Sequence, residues 1–339
     1  MQARTFGIPA QPPQYSDLTN VCMYPRILEI PLPFSIGGIE SLTIHSFGAM
    51  VALAVLAAAW LTGREFDRLY AAGRLKGVRL PVEAKDKGRR RNTMQVVSPS
   101  ALVGTLVVLV VVFGFAGAKL FHILENLPDF FANPGAMIFS SGGFTFYGGL
   151  LVAAVAIAWY LRNKKLSVPI SADAVAPSLM LGYGIGRLGC HLAGDGDWGI
   201  AADLSAKPGW IPTWLWAETY PNNILGVHIP EPGVYPTSIY EFLMATALFG
   251  VLWGFRKHPF KPGWLFSLYL VFAGIERFLI EQIRVNNVLN FFGIDATQAE
   301  FISVLMIVAG LVGLAFTSRK RVETEVEVVA RPRVASSHA

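Results

Sequence analysis

Seven stretches of this chain are apolar and close to the length of a bilayer span: 43–62, 101–124, 146–162, 173–190, 237–255, 263–281 and 299–317. A helix needs about 20 predominantly apolar residues to cross the hydrocarbon layer. Inside that layer every backbone N–H and C=O must be paired within the protein, so segments of this kind fold as helices and little else. The third and fourth stretches are the shortest, and their ends are expected to dip into polar surroundings. Composition agrees, with 53% hydrophobic and only 15% charged residues and a mean hydropathy of +0.47. A soluble domain carries about 25% charged residues. The expected fold is therefore all-α and polytopic, with seven transmembrane helices.

The connections orient the bundle. Residues 63–100 hold ten Lys and Arg, whereas 125–145 hold none. Arg162, Lys164 and Lys165 follow the third stretch, Arg256, Lys257 and Lys261 the fifth, and Arg319, Lys320 and Arg321 the seventh. The long connection 191–236 has Lys207 against Asp195, Asp197, Asp203, Glu218 and Glu231. Basic connections alternate with neutral or acidic ones, and the basic set belongs in the cytoplasm. This predicts an extracytoplasmic N-terminus and a cytoplasmic C-terminus. Residues 1–42 are read as an extracytoplasmic or interfacial segment, irregular apart from a possible short helix, and 43–317 as the transmembrane domain. Within that domain, 191–236 forms a Trp-, Pro- and Tyr-rich cap, and 318–339 is a solvated tail.

The six prolines of residues 1–42 and their lack of an uninterrupted apolar core argue against a cleavable signal peptide. Two cysteines, Cys22 and Cys190, rule out a disulfide framework or a cysteine-built metal site, and nothing requires them to pair. No metal or cofactor is expected. The net charge of +5 is explained by the cytoplasmic connections rather than by nucleic acid. The letters Gly184-x-Gly186-x-x-Gly189 match a dinucleotide fingerprint, but that motif needs a preceding strand, and here it lies inside an apolar helix. The sequence sets no oligomeric state.

The polar residues inside the apolar stretches cluster at one depth. His45 opens the first helix, Lys119 and His122 close the second and Tyr147 opens the third. Arg187 and His191 close the fourth, Tyr240 and Glu241 open the fifth, and Glu276, Arg277 and Glu281 close the sixth. All lie toward the predicted outer leaflet. An ionisable group in the hydrocarbon costs about 2.5–3.5 kcal/mol or more unless it faces a partner or a water-filled cleft. Lys119 can instead snorkel to the interface, His45 and His122 sit where interfacial histidines are common, and Arg277 is spaced to pair with Glu281. Arg284, one turn further on, is expected to be exposed. Arg187 has no acid at helical spacing before it, so its partner must come from elsewhere. Two arginines converging at headgroup depth suit a phosphate, which guanidinium groups grip with paired, charge-assisted hydrogen bonds.

Gly186-Arg187-Leu188-Gly189, followed by Gly194, an acid and Trp198-Gly199, resembles the signature of bacterial prolipoprotein diacylglyceryl transferases. Three further motifs are similar to stretches of that family: Phe146-Tyr147-Gly148-Gly149-Leu150, Pro236-Thr237-Ser238-Ile239-Tyr240-Glu241, and Arg277-Phe278-Leu279-Ile280-Glu281 with Arg284 beyond. The resemblance runs from about residue 34 to 317. It implies a bacterial inner-membrane enzyme that moves a diacylglyceryl group from phosphatidylglycerol to the lipobox cysteine of a preprolipoprotein, releasing glycerol phosphate. Carried over by position, Arg187 and Arg277 hold the lipid phosphate, Tyr240 and Glu241 line the cavity, and Gly148, Gly149 and Gly199 give backbone clearance. This chain departs from the family pattern at Tyr147, where histidine is usual, at Cys190, where asparagine is usual, and at Phe47, where tyrosine is usual. Asp195-Gly196-Asp197 replaces a shorter segment carrying a glutamate.

The implied reaction is attack of a thiolate on the glycerol carbon bearing the phosphate ester. A cysteine thiol has a pKa near about 8.5, so a positioned base helps. The expected candidates for catalysis are His191 as base, assisted by Asp195 or Asp197, with Tyr147 as a hydrogen-bond donor and Arg277 stabilising the leaving phosphate. Cys190 is expected to be a small packing residue. The missing histidine and asparagine point instead to a non-catalytic lipid- or lipoprotein-binding relative. A transporter is disfavoured, because the inner halves of the helices lack the polar path that alternating access requires.

Overall fold

The computed structural model describes residues 24–319 except 37–38, 87–88, 141–142, 287 and 292–293. A hairpin, β1 (Arg26–Ile36) and β2 (Ile39–His45), leads into helix α1 (Ser46–Ala71). A second hairpin, β3 (Val78–Asp86) and β4 (Arg89–Val97), precedes α2 (Val103–Glu125). Two one-and-a-half-turn helices, α3 (Leu127–Ala132) and α4 (Pro134–Phe139), lead to α5 (Phe146–Asn163) and α6 (Val168–Ala193). The single turn α7 (Thr213–Trp216) lies in the long connection, followed by α8 (Thr237–Phe255) and α9 (Trp264–Glu281). A short hairpin, β5 (Val288–Phe291) and β6 (Ile294–Thr297), enters α10 (Gln298–Thr317).

Among the described residues six helices are long and apolar enough to cross a membrane: α1, α2, α5, α6, α8 and α10. The one expected span missing from this set is the sixth, α9, which has the length but carries Glu276, Arg277 and Glu281 within its 18 residues. The fourth span, expected to be short, runs for 26 residues and passes through Pro177. Strands β1 and β2 pair antiparallel, with Leu28 opposite Ile44 and Ile30 opposite Leu42, where an irregular segment or interfacial helix was expected. Cys22, most of the N-terminal segment and residues 320–339 of the tail lie outside the described residues.

The chain divides into two compact units, and α1, α6, α8, α9 and α10 contribute to both. The first contains residues up to Ala54, Gly182–Ala247 and Gly274–Val304. The second contains Val55–Leu181, Leu248–Ala273 and the remainder of the C-terminal part.

In the second unit α2 and α5 approach through glycines. A Cβ on Gly148 would stand 2.3 Å from the Phe121 Cβ and 2.7 Å from the Gly117 carbonyl oxygen. One on Gly149 would stand 2.6 Å from the Gly114 carbonyl oxygen. Small residues let helices in lipid come close enough for dispersion to hold them. Asp173, on α6, accepts hydrogen bonds from the backbone N–H of Gly263 (2.7 Å) and Phe266 (2.9 Å), satisfying amides at the start of α9 that its own turns leave unpaired. Thr62 and Ser178 join α1 to α6 at 2.9 Å.

Helix α5 ends in a Schellman motif. The Leu166 N–H donates to the Leu161 carbonyl and the Lys165 N–H to that of Arg162, both at 2.9 Å. Lys165 occupies the left-handed position (φ 58°) that usually takes glycine. A side chain there costs about 1 kcal/mol, offset here by burial of Leu161 and Leu166 in one hydrophobic cluster.

Candidate functional site

The glycine-studded end of α6 stops at Gly194, whose N–H donates to the Cys190 carbonyl at 2.9 Å and whose φ is +61°. That left-handed turn is open to glycine and strained for other residues. It sends the chain back so that Asp195 and Asp197 return beside the helix end they have just left. Asp197 is then fixed through its backbone carbonyl, which accepts hydrogen bonds from the hydroxyls of Thr237 (2.8 Å) and Ser238 (2.7 Å) at the start of α8.

Around this anchor the first unit gathers three guanidinium groups. Arg187 and Arg284 both pair with the Asp197 carboxylate, one on each oxygen. Glu241, on α8 and fully buried, presents Oε1 to all three arginines: Arg187 at 3.4 Å, Arg277 at 3.6 Å and Arg284 at 3.9 Å. The Tyr183 hydroxyl donates to the same oxygen at 2.8 Å and lies 3.3 Å from Glu276. Arg277 also pairs with Glu281 at 2.7 Å, and Asn286 donates to Glu281 at 2.6 Å. The Arg187 guanidinium lies over the Tyr183 ring, 5.1 Å from its centre.

The expected convergence of Arg187 and Arg277 is present, with Glu241 as their shared partner. Glu241 is the acid that the three arginines share. Arg284 is not exposed, as the sequence suggested, but nine-tenths buried as a side chain and part of the cluster. Burial and the nearby Arg187 charge hold its guanidinium below the ordinary value, consistent with like charges crowded around one acid. Tyr183 was missed; its spacing of four residues from Arg187 puts both on one helix face.

His191 is buried and its Nδ1 lies 3.2 Å from the Tyr220 hydroxyl, with the two rings edge to face. Its side-chain partner is thus Tyr220 rather than either expected aspartate. Burial, with the Glu218 charge next, pushes the Tyr220 phenol well above the usual range, so it serves as a neutral hydrogen-bonding group. Asp195 lies beside Cys190: the Cys190 thiol and one carboxylate oxygen from each of Asp195 and Asp197 fall within 4.8 Å of one another. Burial pushes the Asp195 carboxyl above the usual range. This trio has the spacing of a cation site, but the two guanidinium groups on Asp197 already supply its positive charge.

Tyr240 points its hydroxyl at the Leu215 carbonyl (2.8 Å), tying α8 to the long connection. That connection has its own small core, in which Tyr220 and Ile229 pack with Trp198 and Val234. Gly199 gives clearance to the protein itself: a Cβ there would stand 2.6 Å from the Ile283 carbonyl oxygen. The Ile200 N–H donates to that carbonyl at 2.8 Å, which holds Arg284 against the loop. Tyr147, Gly148 and Gly149 belong to the second unit, where both glycines serve the α2–α5 contact. There Lys119 donates to Ser140, and His122 packs against Gly143.

Comparison with known proteins fits this arrangement. The family model described as prolipoprotein diacylglyceryl transferase matches residues 33–316. A phosphatidylglycerol–prolipoprotein diacylglyceryl transferase of Clostridium tetani is 28% identical over 281 residues, covering 83% of this chain and 95% of its own length. Proteins of the same name from Xylella fastidiosa strain M23 (31% over 304 residues; 83% and 90% covered) and Corynebacterium glutamicum strain ATCC 13032 (28% over 285 residues; 79% and 84% covered) are similar throughout. With most of its length matched, from the first hairpin to the last helix, this chain belongs to the prolipoprotein diacylglyceryl transferase family.

Proposed function

We propose that this protein transfers the diacylglyceryl group of phosphatidylglycerol to the lipobox cysteine of a preprolipoprotein. A carbon–sulfur bond forms at the glycerol carbon, the carbon–oxygen bond to phosphate breaks, and glycerol phosphate leaves. The observation that carries this reading is the meeting of Arg187, Arg277 and Arg284 around Glu241. Charge builds on the leaving phosphate as the bond breaks, and fixed guanidinium groups in a dry site stabilise it most at that moment.

The Asp197 carboxylate, held by two of the three arginines, stands in for the phosphate before the lipid arrives and yields its place on binding. Asp195 takes the thiol proton. A buried carboxyl with a raised pKa is a stronger base than an ordinary one, and it sits at the arginine cluster. His191, tied to Tyr220, positions the loop. The protein spans a bacterial inner membrane seven times, α9 being the sixth span, with the polar end of α9 facing the outer leaflet and the basic connections facing the cytoplasm. The segment 191–236, whose first three residues are the last of α6, forms the outer cap.

The test is reconstitution of the purified chain with phosphatidylglycerol and a lipobox peptide, following thioether product and released glycerol phosphate. Product from the wild type and none from Arg277→Gln supports the reading. Lipid binding without product, together with failure to complement a strain depleted of its own transferase, overturns it in favour of a binding-only relative.

A further inference from the structure

A second concavity lies in the other unit, where the chain leaving α1 meets the turn between α5 and α6. Arg74, Lys76, Arg162 and Lys165 surround it with the Ser167 hydroxyl, and no acidic residue lines it. Its floor is apolar: Leu75 and Leu166 belong to the hydrophobic cluster beneath. The first turn of the 26-residue helix α6 begins at Val168, so the positive end of its dipole opens at the same place.

The cytoplasmic bias of basic residues requires only that such cations share one side of the bilayer. It does not require four of them to line one hollow that no acidic residue shares. An anion with several oxygens accounts for this lining, because it accepts from Lys and Arg donors together.

We propose that this hollow binds a phosphate group, carried on a phospholipid headgroup or free in solution, at a site distinct from the arginine–Glu241 cluster. The apolar floor beside the cations suits the amphipathic headgroup region of a lipid. The site is built from residues outside the proposed transfer chemistry, so it stands whether or not that chemistry does.

The experiment is amide hydrogen exchange on the full-length protein in neutral detergent, read in peptides covering 160–170. Four probes are compared: short-chain phosphatidic acid, short-chain diacylglycerol, glycerol 3-phosphate and inorganic phosphate. Protection by phosphatidic acid alone identifies the lipid as the source. Protection by inorganic phosphate and glycerol 3-phosphate as well identifies free phosphate as sufficient. In Lys165→Gly, which relaxes the backbone and so is expected to fold, half-protection needs about fivefold more ligand. Arg162→Gln with Lys165→Gly needs roughly 25-fold more, taking each cation at its usual contribution near a membrane surface. Absence of protection by every phosphate-bearing probe, equal protection by diacylglycerol, or an unchanged response in the double variant overturns the proposal. Thioether formation by both variants remains at the wild-type level.

Discussion

Replacing Asp197 with Asn separates a stand-in for phosphate from a merely structural acid. The carboxylate bridges Arg187 and Arg284, with the three side chains 24%, 19% and 11% exposed. Asn keeps the shape and the backbone bonds to Thr237 and Ser238 but removes the charge. A hydrogen bond to a charged group contributes about 1.5–3 kcal/mol when buried. Partial exposure lowers this to about 1 kcal/mol for each pair, so folding stability falls by about 2 kcal/mol. The same two guanidinium groups then no longer have to exchange a carboxylate for the lipid phosphate. Recovering about 1.4 kcal/mol of that displacement lowers the apparent KM for phosphatidylglycerol about tenfold. The assay titrates phosphatidylglycerol against phosphatidylcholine in mixed micelles at fixed lipobox peptide, with thermal unfolding measured in parallel. Arg187→Gln serves as the control of opposite sign, raising KM. A folded Asp197→Asn protein whose KM is unchanged or higher refutes the argument, because the carboxylate then does not compete for the phosphate's donors.

Glu241→Gln leaves three buried guanidinium groups without their shared acid and is expected to cost about 3–5 kcal/mol in stability and to abolish transfer; a variant as heat-stable as the wild type contradicts the central role of Glu241. Asp195→Asn is expected to lose transfer by about 10²-fold or more while His191→Gln stays near normal, and the reverse pattern assigns the base to His191. With Asp195 as base, wild-type activity rises with pH through its raised pKa. Stability runs the other way: the folded state holds the Asp195 proton more tightly than the unfolded chain, so this contribution is present below about pH 4 and is lost as pH rises through the folded pKa. Asp195→Asn removes that slope in a pH series of thermal melts. Gly148→Ala forces α2 and α5 apart against Phe121 and Gly117, costing about 1–3 kcal/mol, and a melt unchanged from the wild type contradicts the close contact.

The sequence by itself determined the class of the protein, because hydrocarbon-length apolar stretches admit only helices and because charge sorts by side of the membrane. It also found Arg187, Arg277, Glu241 and Glu281, since charges inside such stretches stand out against their surroundings and their motifs resemble a known family. The predicted ends of α8 and α10 agree with the structure to within a residue, whereas the hairpin of β1 and β2 was not legible: Pro31 and Pro33 interrupt the pattern of its first strand, and Ile and Leu there read equally as interfacial surface. Which acid answers which arginine was decided only by tertiary structure. Asp197 reaches Arg187 and Arg284 because the turn at Gly194 reverses the chain, and Arg284 is buried because the loop through Gly199 pairs with it. His191 meets Tyr220, 29 residues on, for the same kind of reason. Helical spacing reports neighbours one turn away, while a reversal of the backbone brings together side chains that no local periodicity connects.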